Sequence, residues 1–402
     1  MISTITRKIC VITSTRADYG LLRNLLTALQ HKTTISTQLL VTGTHLSKKH
    51  GYTVEEIRQD GFEIQAEVPI ALEATSPLST AQAAASALSE IANALHQLKP
   101  DIVVLLGDRY EIASAAYAAL YLQIPIAHLH GGERSEGVID EALRHSITKT
   151  AYWHFCASEE YRQRIIQLGE APQRVFNVGA LGLDSIKRLK LWDKQKLEDS
   201  LALSLQGPVF VVTYHPVSTS EQSTRTEINA LCDALCAYPE ATIIVTGVNA
   251  DTGANIVRVA FENLQSQLTT QRFLMVESLG QTRYLSLLAH ADIVIGNSSS
   301  GIIEAPFMKV PTVNIGDRQR GRLKGRSQID CQGRSDDISN AISKALSSDF
   351  LRTAFDTPPP LGDGTSAPKI AEILEKTPLS KDCLTKSFYD IPFQDRYSEG
   401  SL

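Results

Sequence analysis

Apolar runs and amphipathic stretches alternate along most of the chain. KICVIT leads to DYGLLRNLLTALQ, STQLLVTG to HLSKKHGYTVEEIRQD, and DIVVLLGD to RYEIASAAYAALYLQ. IPIAHLH then leads to IDEALRHSITKTA, YWHFCAS to EEYRQRIIQLG, and RVFNVG to a helix near Leu181–Leu191. The strand-like runs are apolar throughout, so each is expected to be buried on both faces, and helices between them imply a parallel sheet of βα units. After the polar segment KLWDKQKLEDSLALSLQGP the pattern restarts with VFVVTYHP, ATIIVTGVN, RFLMVES, ADIVIGNSSS and VPTVNIGD. Helices are predicted over Asp336–Leu346 and in KIAEILEK, with TPPPLGDGTSAPK between them. The pattern predicts an α/β protein of two doubly wound domains, residues 1–190 and 207–378, followed by a tail over 379–402. Two such domains facing each other leave a cleft at the carboxyl ends of both sheets, where ligands are expected.

Composition narrows the class. A chain of 402 residues exceeds what one hydrophobic core usually serves. The net charge of −5 supplies no basic field, which argues against nucleic-acid binding. The six cysteines form no CxxC pair, and Cys232 and Cys236 read as reduced core thiols on one helix face, placing the chain in a reducing compartment. MISTITRKICVITS runs directly into a strand and does not read as a leader. Gln123 and Pro125 break the apolar run Ile112–Leu129 into a helix and a strand, so a soluble, cytoplasmic protein is expected.

The candidate chemistry falls at the predicted strand ends. In DIVIGNSSSGIIEA a buried strand passes through small residues into a helix, where Ser298 and Ser299 could present backbone N–H groups to phosphate and Glu304 lies one turn in. The same residues would also serve as a plain capping box. GDRQRGR places Arg318, Arg320 and Arg322 after another strand, suited to a diphosphate or to a solvated loop. TGVNADTG offers Asn249 and Asp251, and YHP offers His215. No GxGxxG or GxxxxGK[ST] motif occurs.

In the first domain, TSTRADYG places Arg16 at a strand end with Asp18 behind it, and LLGDRYE places Asp108 and Arg109 where an apolar strand stops. An Asp in that setting is either tuned as a general base or simply paired with the arginine beside it. HLHGGERSEGVIDEALRH brings strand end, glycine opening and helix start together. Strand alternation puts His128 and His130 on one face, and Asp140 and Arg144 lie one helical turn apart beside Glu141. A His-x-His strand can also bind metal, but no third ligand stands at a known spacing, so no metal and no cofactor are expected. Arg134, Ser135 and Glu136 read as a solvated loop.

Together TSTRADYG, VTGTHLSKKHGYT, LKPDIVVLLGDRYE, HGGERSEGVIDEALRHSITK, RVFNVG, NADTG, IGNSSSGIIEAP, NIGDRQRGR and FYDIP resemble the hydrolysing UDP-N-acetylglucosamine 2-epimerases of sialic-acid biosynthesis, across nearly the whole chain. The resemblance implies a glycosyltransferase-B-type fold, two Rossmann-like domains with the UDP-sugar between them. It implies elimination of UDP to a 2-acetamidoglucal, then rehydration to N-acetylmannosamine. Carried over by position, Asp108 and Asp140 match acid/base residues, and His215 matches a histidine of the active-site cleft. Arg16, Arg109, Asn249, Ser298, Ser299, Glu304 and Arg318 match UDP-contacting positions, with Glu304 on the ribose and Ser298, Ser299 and Arg318 on the phosphates. In one departure, many members carry a glutamate where this chain has His130. Either His130 takes the proton role or Glu133, three residues on, reaches in.

Three enzymatic rivals share this frame: the same reaction on UDP-2,4-diacetamido-2,4,6-trideoxy-glucose, a non-hydrolysing epimerase that keeps UDP attached, and a glycosyltransferase. A non-catalytic nucleotide-sugar-binding regulator would need Asp108 and Asp140 to be structural. The partner is a small UDP-sugar, with neither nucleic acid nor membrane involved. The resemblance also implies a dimer or tetramer joined through first-domain helices.

Overall fold

The computed structural model describes residues 6–70, 76–134, 139–216, 221–247, 254–268 and 272–391. They fall into two compact units, one from 1–185 with 364–402 and one from 186–363.

The first unit contains β1 (Arg7–Thr13), α1 (Arg16–Gln30), β2 (Ile35–Thr42), α2 (Val54–Gln59), β3 (Ala66–Val68), α3 (Pro77–Leu98), β4 (Ile102–Leu106) and α4 (Tyr110–Tyr121). It continues with β5 (Ile126–Leu129), α5 (Ile139–Thr150), β6 (Trp153–Cys156), α6 (Glu159–Gln167), β7 (Val175–Asn177) and α7 (Leu181–Arg188), the last of which runs into the second unit. The strands lie parallel in the order β3-β2-β1-β4-β5-β6-β7. Both faces are buried, as the apolar runs require. Ile9 and Val11 of β1 join a core with Leu22, Leu25 and Leu29 of α1, whereas Cys10 and Ile12 point into a second core with Ala87, Ile91, Ala115 and Ala119 of α3 and α4.

The second unit contains α8 (Lys194–Leu201), β8 (Val209–Thr213), α9 (Glu221–Cys236), β9 (Thr242–Thr246), α10 (Ala254–Gln267), β10 (Phe273–Val276) and α11 (Gly280–Ala289). Then come β11 (Ile293–Gly296), α12 (Ser300–Phe307), β12 (Thr312–Ile315), β13 (Gln328–Cys331), α13 (Ser335–Leu346) and α14 (Ser348–Ala354). Its parallel sheet runs β10-β9-β8-β11-β12-β13. Phe210, Val212, Ile243 and Ile295 form its main core with Leu231, Phe261 and Ile342 of α9, α10 and α13. In each sheet the strand order reverses beside the first strand, between β1 and β4 and between β8 and β11. Such switch points open a crevice for ligands at the carboxyl ends.

The unit bounds differ from those read off the sequence. The polar segment after residue 190 is not a linker, because α8 buries Leu197 and Leu201, and Trp192 N–H donates to Ser286 Oγ of α11 at 2.9 Å. Residues 364–378, expected in the second domain, return to the first. There α15 (Ser366–Lys376) buries Ala367, Ile370, Ala371 and Leu374 in the core that α1 shares. Asp184 holds its start by accepting the Ser366 and Ala367 N–H groups at 2.9 and 2.7 Å.

The tail is anchored as far as Tyr389. Lys386 Nζ donates to Glu170 Oε2 at 2.7 Å and to the Ala151 carbonyl at 2.6 Å, and Tyr389 N–H donates to the Gly169 carbonyl at 2.9 Å. Glu170 is fully buried and also takes Lys149 at 2.6 Å and His154 at 3.1 Å. Burial alone would raise its carboxyl; the bonds from His154, Lys149 and Lys386 outweigh that and hold it at about 2. The six cysteines are free thiols, but Cys236 is exposed rather than in the core. Among the described residues no helix is long and apolar enough to cross a membrane.

Candidate active site

At the end of β4 the chain turns through Gly107 into α4, leaving Asp108 half-buried. Its partner is Arg144, one turn beyond Asp140 on α5, and not the adjacent Arg109. Arg109 instead lays its guanidinium fork on the fully buried Glu111, with Nε and Nη2 donating at 3.2 and 3.0 Å. Arg144 is buried, and Glu141 lies 4.0 Å from its Nη1. Burial, followed by the charges of Asp140 and Glu133, pushes the Asp108 carboxyl above its ordinary range, with Arg144 pulling the other way. Asp140 and Glu133 are therefore near enough for their charges to act on Asp108, as a proton-transfer cluster requires.

The two histidines of β5 and its exit do different work. His128 is fully buried, bonded through Nε2 to the Gly107 carbonyl at 2.8 Å, and burial drives its pKa down to about 3. It stays neutral and braces the backbone just before Asp108. His130 leaves the strand with a left-handed φ of +61°, so the strand alternation expected to align it with His128 stops at Leu129. Its Nδ1 donates to Glu133 Oε1 at 2.7 Å, and its Nε2 accepts the Leu181 N–H at the start of α7 at 3.4 Å. The alternatives His130 and Glu133 thus form one hydrogen-bonded pair. Among the described residues no group of three His, Cys, Asp or Glu side chains is arranged to hold a metal ion.

Arg16 is 72% exposed and bonded to Glu56 of α2 at 2.9 Å. Asp18, behind it, is buried. It accepts the Ser14 N–H at 3.0 Å and the Thr15 N–H at 3.1 Å, while the Thr13 hydroxyl also donates to it. Burial would raise this carboxyl, but hydrogen bonds from His45, Thr13 and Ser14 outweigh it and hold the group below its ordinary range. Thr15 Oγ1 in turn accepts the Asp18 N–H at 3.3 Å, so α1 starts in a reciprocal capping box.

At the corresponding turn of the second unit Ser298 Oγ accepts the Ser300 N–H at 3.3 Å, and the Gly301 and Ile302 N–H groups donate to the Ser298 and Ser299 carbonyls at 3.2 and 2.9 Å. Gly296 ends β11 at a φ of +133°, with the Thr213 carbonyl 1.9 Å from where a Cβ would stand, so only glycine fits. Asn297 is fully buried and straddles the switch point: its side chain accepts the His215 N–H at 2.7 Å and donates to the His215 carbonyl at 2.9 Å. His215 is buried where β8 ends. Ser299 precedes α12 in a helical conformation and makes no side-chain cap, so the expected capping box with Glu304 does not form. Arg318 and Gln319 converge on this turn, donating to the Asn297 carbonyl at 3.1 and 2.8 Å. A helix N-terminus beside an arginine is suited to an anion. Arg320 and Arg322 are exposed; Ser135, Glu136, Asn249 and Asp251 lie outside the described residues.

One turn into α12, Glu304 keeps its Oε2 atom buried with no hydrogen-bond partner among the described residues. Burial pushes its carboxyl up, against the nearby Ser300 hydroxyl. Tyr284 of α11 donates to Ser300 Oγ at 2.6 Å. Tyr284, Gln319 and Glu111 were not among the residues singled out from the sequence. Only Glu111, two positions from Arg109, carried a local signal.

Two Rossmann-like units with polar groups gathered at their switch points make up a fold of glycosyltransferase-B type, here in an enzyme acting on a nucleotide sugar. A solved structure of UDP-GlcNAc 2-epimerase from Neisseria meningitidis, bound to UDP-GlcNAc, shares the fold. It superposes with a TM-score of 0.77 over 92% of this chain and 100% of that one, at 18% identity. The family model for UDP-N-acetylglucosamine 2-epimerase matches residues 27–375, and the chain belongs to that family. Among curated relatives, a GDP/UDP-N,N'-diacetylbacillosamine 2-epimerase (hydrolyzing) of Campylobacter jejuni is 40% identical over 344 residues, 86% of this chain and 88% of its own. The polysialic acid biosynthesis protein P7 of Escherichia coli is 37% identical over 387 residues, 96% of this chain and 98% of its own.

Proposed function

We propose that the chain is a hydrolysing 2-epimerase of UDP-2-acetamido sugars. A carboxylate removes the C2 proton, the C1–O bond breaks with its electron pair on the UDP oxygen, and a 2-acetamidoglucal forms. Water then delivers hydroxide to C1 and a proton to the opposite face of C2, releasing UDP and the 2-epimeric free sugar. Asp108, Asp140 and the His130–Glu133 pair divide the proton transfers. His215 joins this catalytic set, Ser298, Ser299 and Arg318 receive the diphosphate, with Arg16, Arg109, Arg144, Asn249 and Asp251 as further substrate contacts, and Glu304 accepts the ribose hydroxyls. The observation that carries this reading is Asp108, raised by burial and by Asp140 and Glu133 yet oriented by buried Arg144.

Two substrates have support. UDP-N-acetylglucosamine follows from the motifs and suits a relative named for polysialic acid biosynthesis. UDP-2,4-diacetamido-2,4,6-trideoxy-glucose is favoured by the 40% identical relative named for diacetylbacillosamine. Incubating the purified protein with each sugar nucleotide in D2O decides both questions. Hydrolytic epimerisation yields UDP in step with a free sugar deuterated at C2, whereas a product still carrying UDP overturns the hydrolytic assignment. A cytoplasmic setting fits such a substrate. Exposed Tyr117, Leu120 and Tyr121 on α4 suit a homo-oligomer, which light scattering measures.

A further inference from the structure

Behind Glu304 stand Ser300, one turn away on α12, and Tyr284, while Glu304 Oε2 is a buried acceptor with no partner among the described residues. Tyr284 is anchored on α11 and donates its hydroxyl to Ser300 Oγ at 2.6 Å. That bond occupies a lone pair of Ser300 and leaves its own hydrogen to be directed elsewhere. Ser300 and Glu304 share one face of α12, a turn apart. The Ser300 hydroxyl acts to favour the ionised Glu304 carboxyl, which burial disfavours. Glu304 Oε2 remains buried and, among the described residues, has no donor. An acceptor in that state costs free energy unless a ligand hydroxyl supplies the missing hydrogen bond. The side chain must also be held in one rotamer for that oxygen to stay aimed.

We propose that Tyr284 is a positioning residue: through Ser300 it fixes Glu304 so that Oε2 accepts a ribose hydroxyl of the nucleotide. This rests on the reading of Glu304 as the ribose contact. The Tyr284 hydroxyl acts through Ser300, to which it donates. The ring fills the same space as phenylalanine, so removing its hydroxyl removes that bond and little else. The phenol is also unsuited to proton transfer near neutrality, since burial pushes its pKa up to about 12.

The test compares UDP with 2′-deoxy-UDP by titration calorimetry on the full chain, using the parent protein, Tyr284→Phe, Ser300→Ala and Glu304→Gln. The parent is expected to prefer UDP by about tenfold, the size of a hydrogen bond to a charged group. Tyr284→Phe and Ser300→Ala should each lose most of that preference while binding 2′-deoxy-UDP as the parent does. In turnover, KM for the UDP-sugar should rise with kcat little changed. If Tyr284→Phe weakens both nucleotides equally, or keeps the full preference, the positioning role is overturned. If the parent has no preference, or Glu304→Gln retains it, the ribose reading itself fails, and the two failures are thereby told apart.

Discussion

Asp108→Asn separates chemistry from architecture at the centre of the first unit's cluster. The substitution keeps the shape and one acceptor oxygen for Arg144 but removes the group able to take a proton. A positioned acid or base contributes about 10²–10⁴-fold to rate, and turnover should fall within that range. The structural cost is smaller. Arg144 is only 7% exposed, so it loses a charged partner in a poorly hydrated place. However, Asn can still accept its bond, and Glu141 lies 4.0 Å from the guanidinium. Stability should drop by about 1–2 kcal/mol, roughly 2–8 °C in melting temperature for a unit of this size. Release of UDP from the sugar nucleotide in single-turnover mixing measures the chemical loss. Calorimetric binding of UDP, expected to survive, confirms that the variant is folded. Because burial and two neighbouring carboxylates raise Asp108, the parent's activity should rise with pH at values above the ordinary carboxylate range. Parent-like turnover in Asp108→Asn would refute the role of this residue as acid or base.

Further tests reach the rest of the first unit. His130→Ala and Glu133→Gln should both lose turnover, the first because it removes one half of a 2.7 Å hydrogen bond and the second because the amide can still accept that bond but cannot take up a proton; a near-normal pH profile in His130→Ala beside an inactive Glu133→Gln would leave His130 without a proton role. Fold stability should decline on acidification. Burial lowers His128 to about 3 and His154 to about 4, so the unfolded chain takes up protons first as pH falls through ~6.5. Each histidine should thus contribute a loss of about 2 kcal/mol between pH 7 and pH 5, read as a falling denaturant midpoint, and a flat midpoint would contradict it. Lys386→Ala should lower the melting temperature by several degrees, about 1–2 kcal/mol, because Glu170 keeps Lys149 and His154 but loses its bond to the tail. An unchanged melting temperature together with unchanged tail proteolysis would count against that anchorage.

The frame was legible because a strand buried on both faces must be written in apolar residues, as IVVLL and TIIVT are. The helix Pro77–Leu98 went unassigned although Ala83, Ala87, Ile91 and Leu95 mark its buried stripe at four-residue spacing; alanine gives that stripe little contrast. The motifs brought the candidate residues to strand ends, but their pairings depended on distances between segments. Nothing local selects Arg144 over Arg109 as partner of Asp108, 36 positions away. Nor does any local pattern show that His130 turns with a positive φ, which depends on backbone held between β6 and α7. The return of α15 to the first unit was equally hidden, since its apolar face fits a cover for either sheet.

That return gives the protein a particular order of manufacture. Residues 364–391 supply α15 and the Lys386 anchor to a sheet whose strands all leave the ribosome before residue 186. Between the two lies the entire second unit, which the ribosome takes about ten to forty seconds to make at about 5–20 residues per second. The second unit is continuous in sequence and can close while still tethered. Throughout that interval the first unit waits with the face of α1 uncovered by α15, and with Glu170 lacking Lys386. Nascent chains halted before residue 364 should therefore expose an apolar surface that the complete chain conceals, making this interval the point of greatest dependence on chaperones.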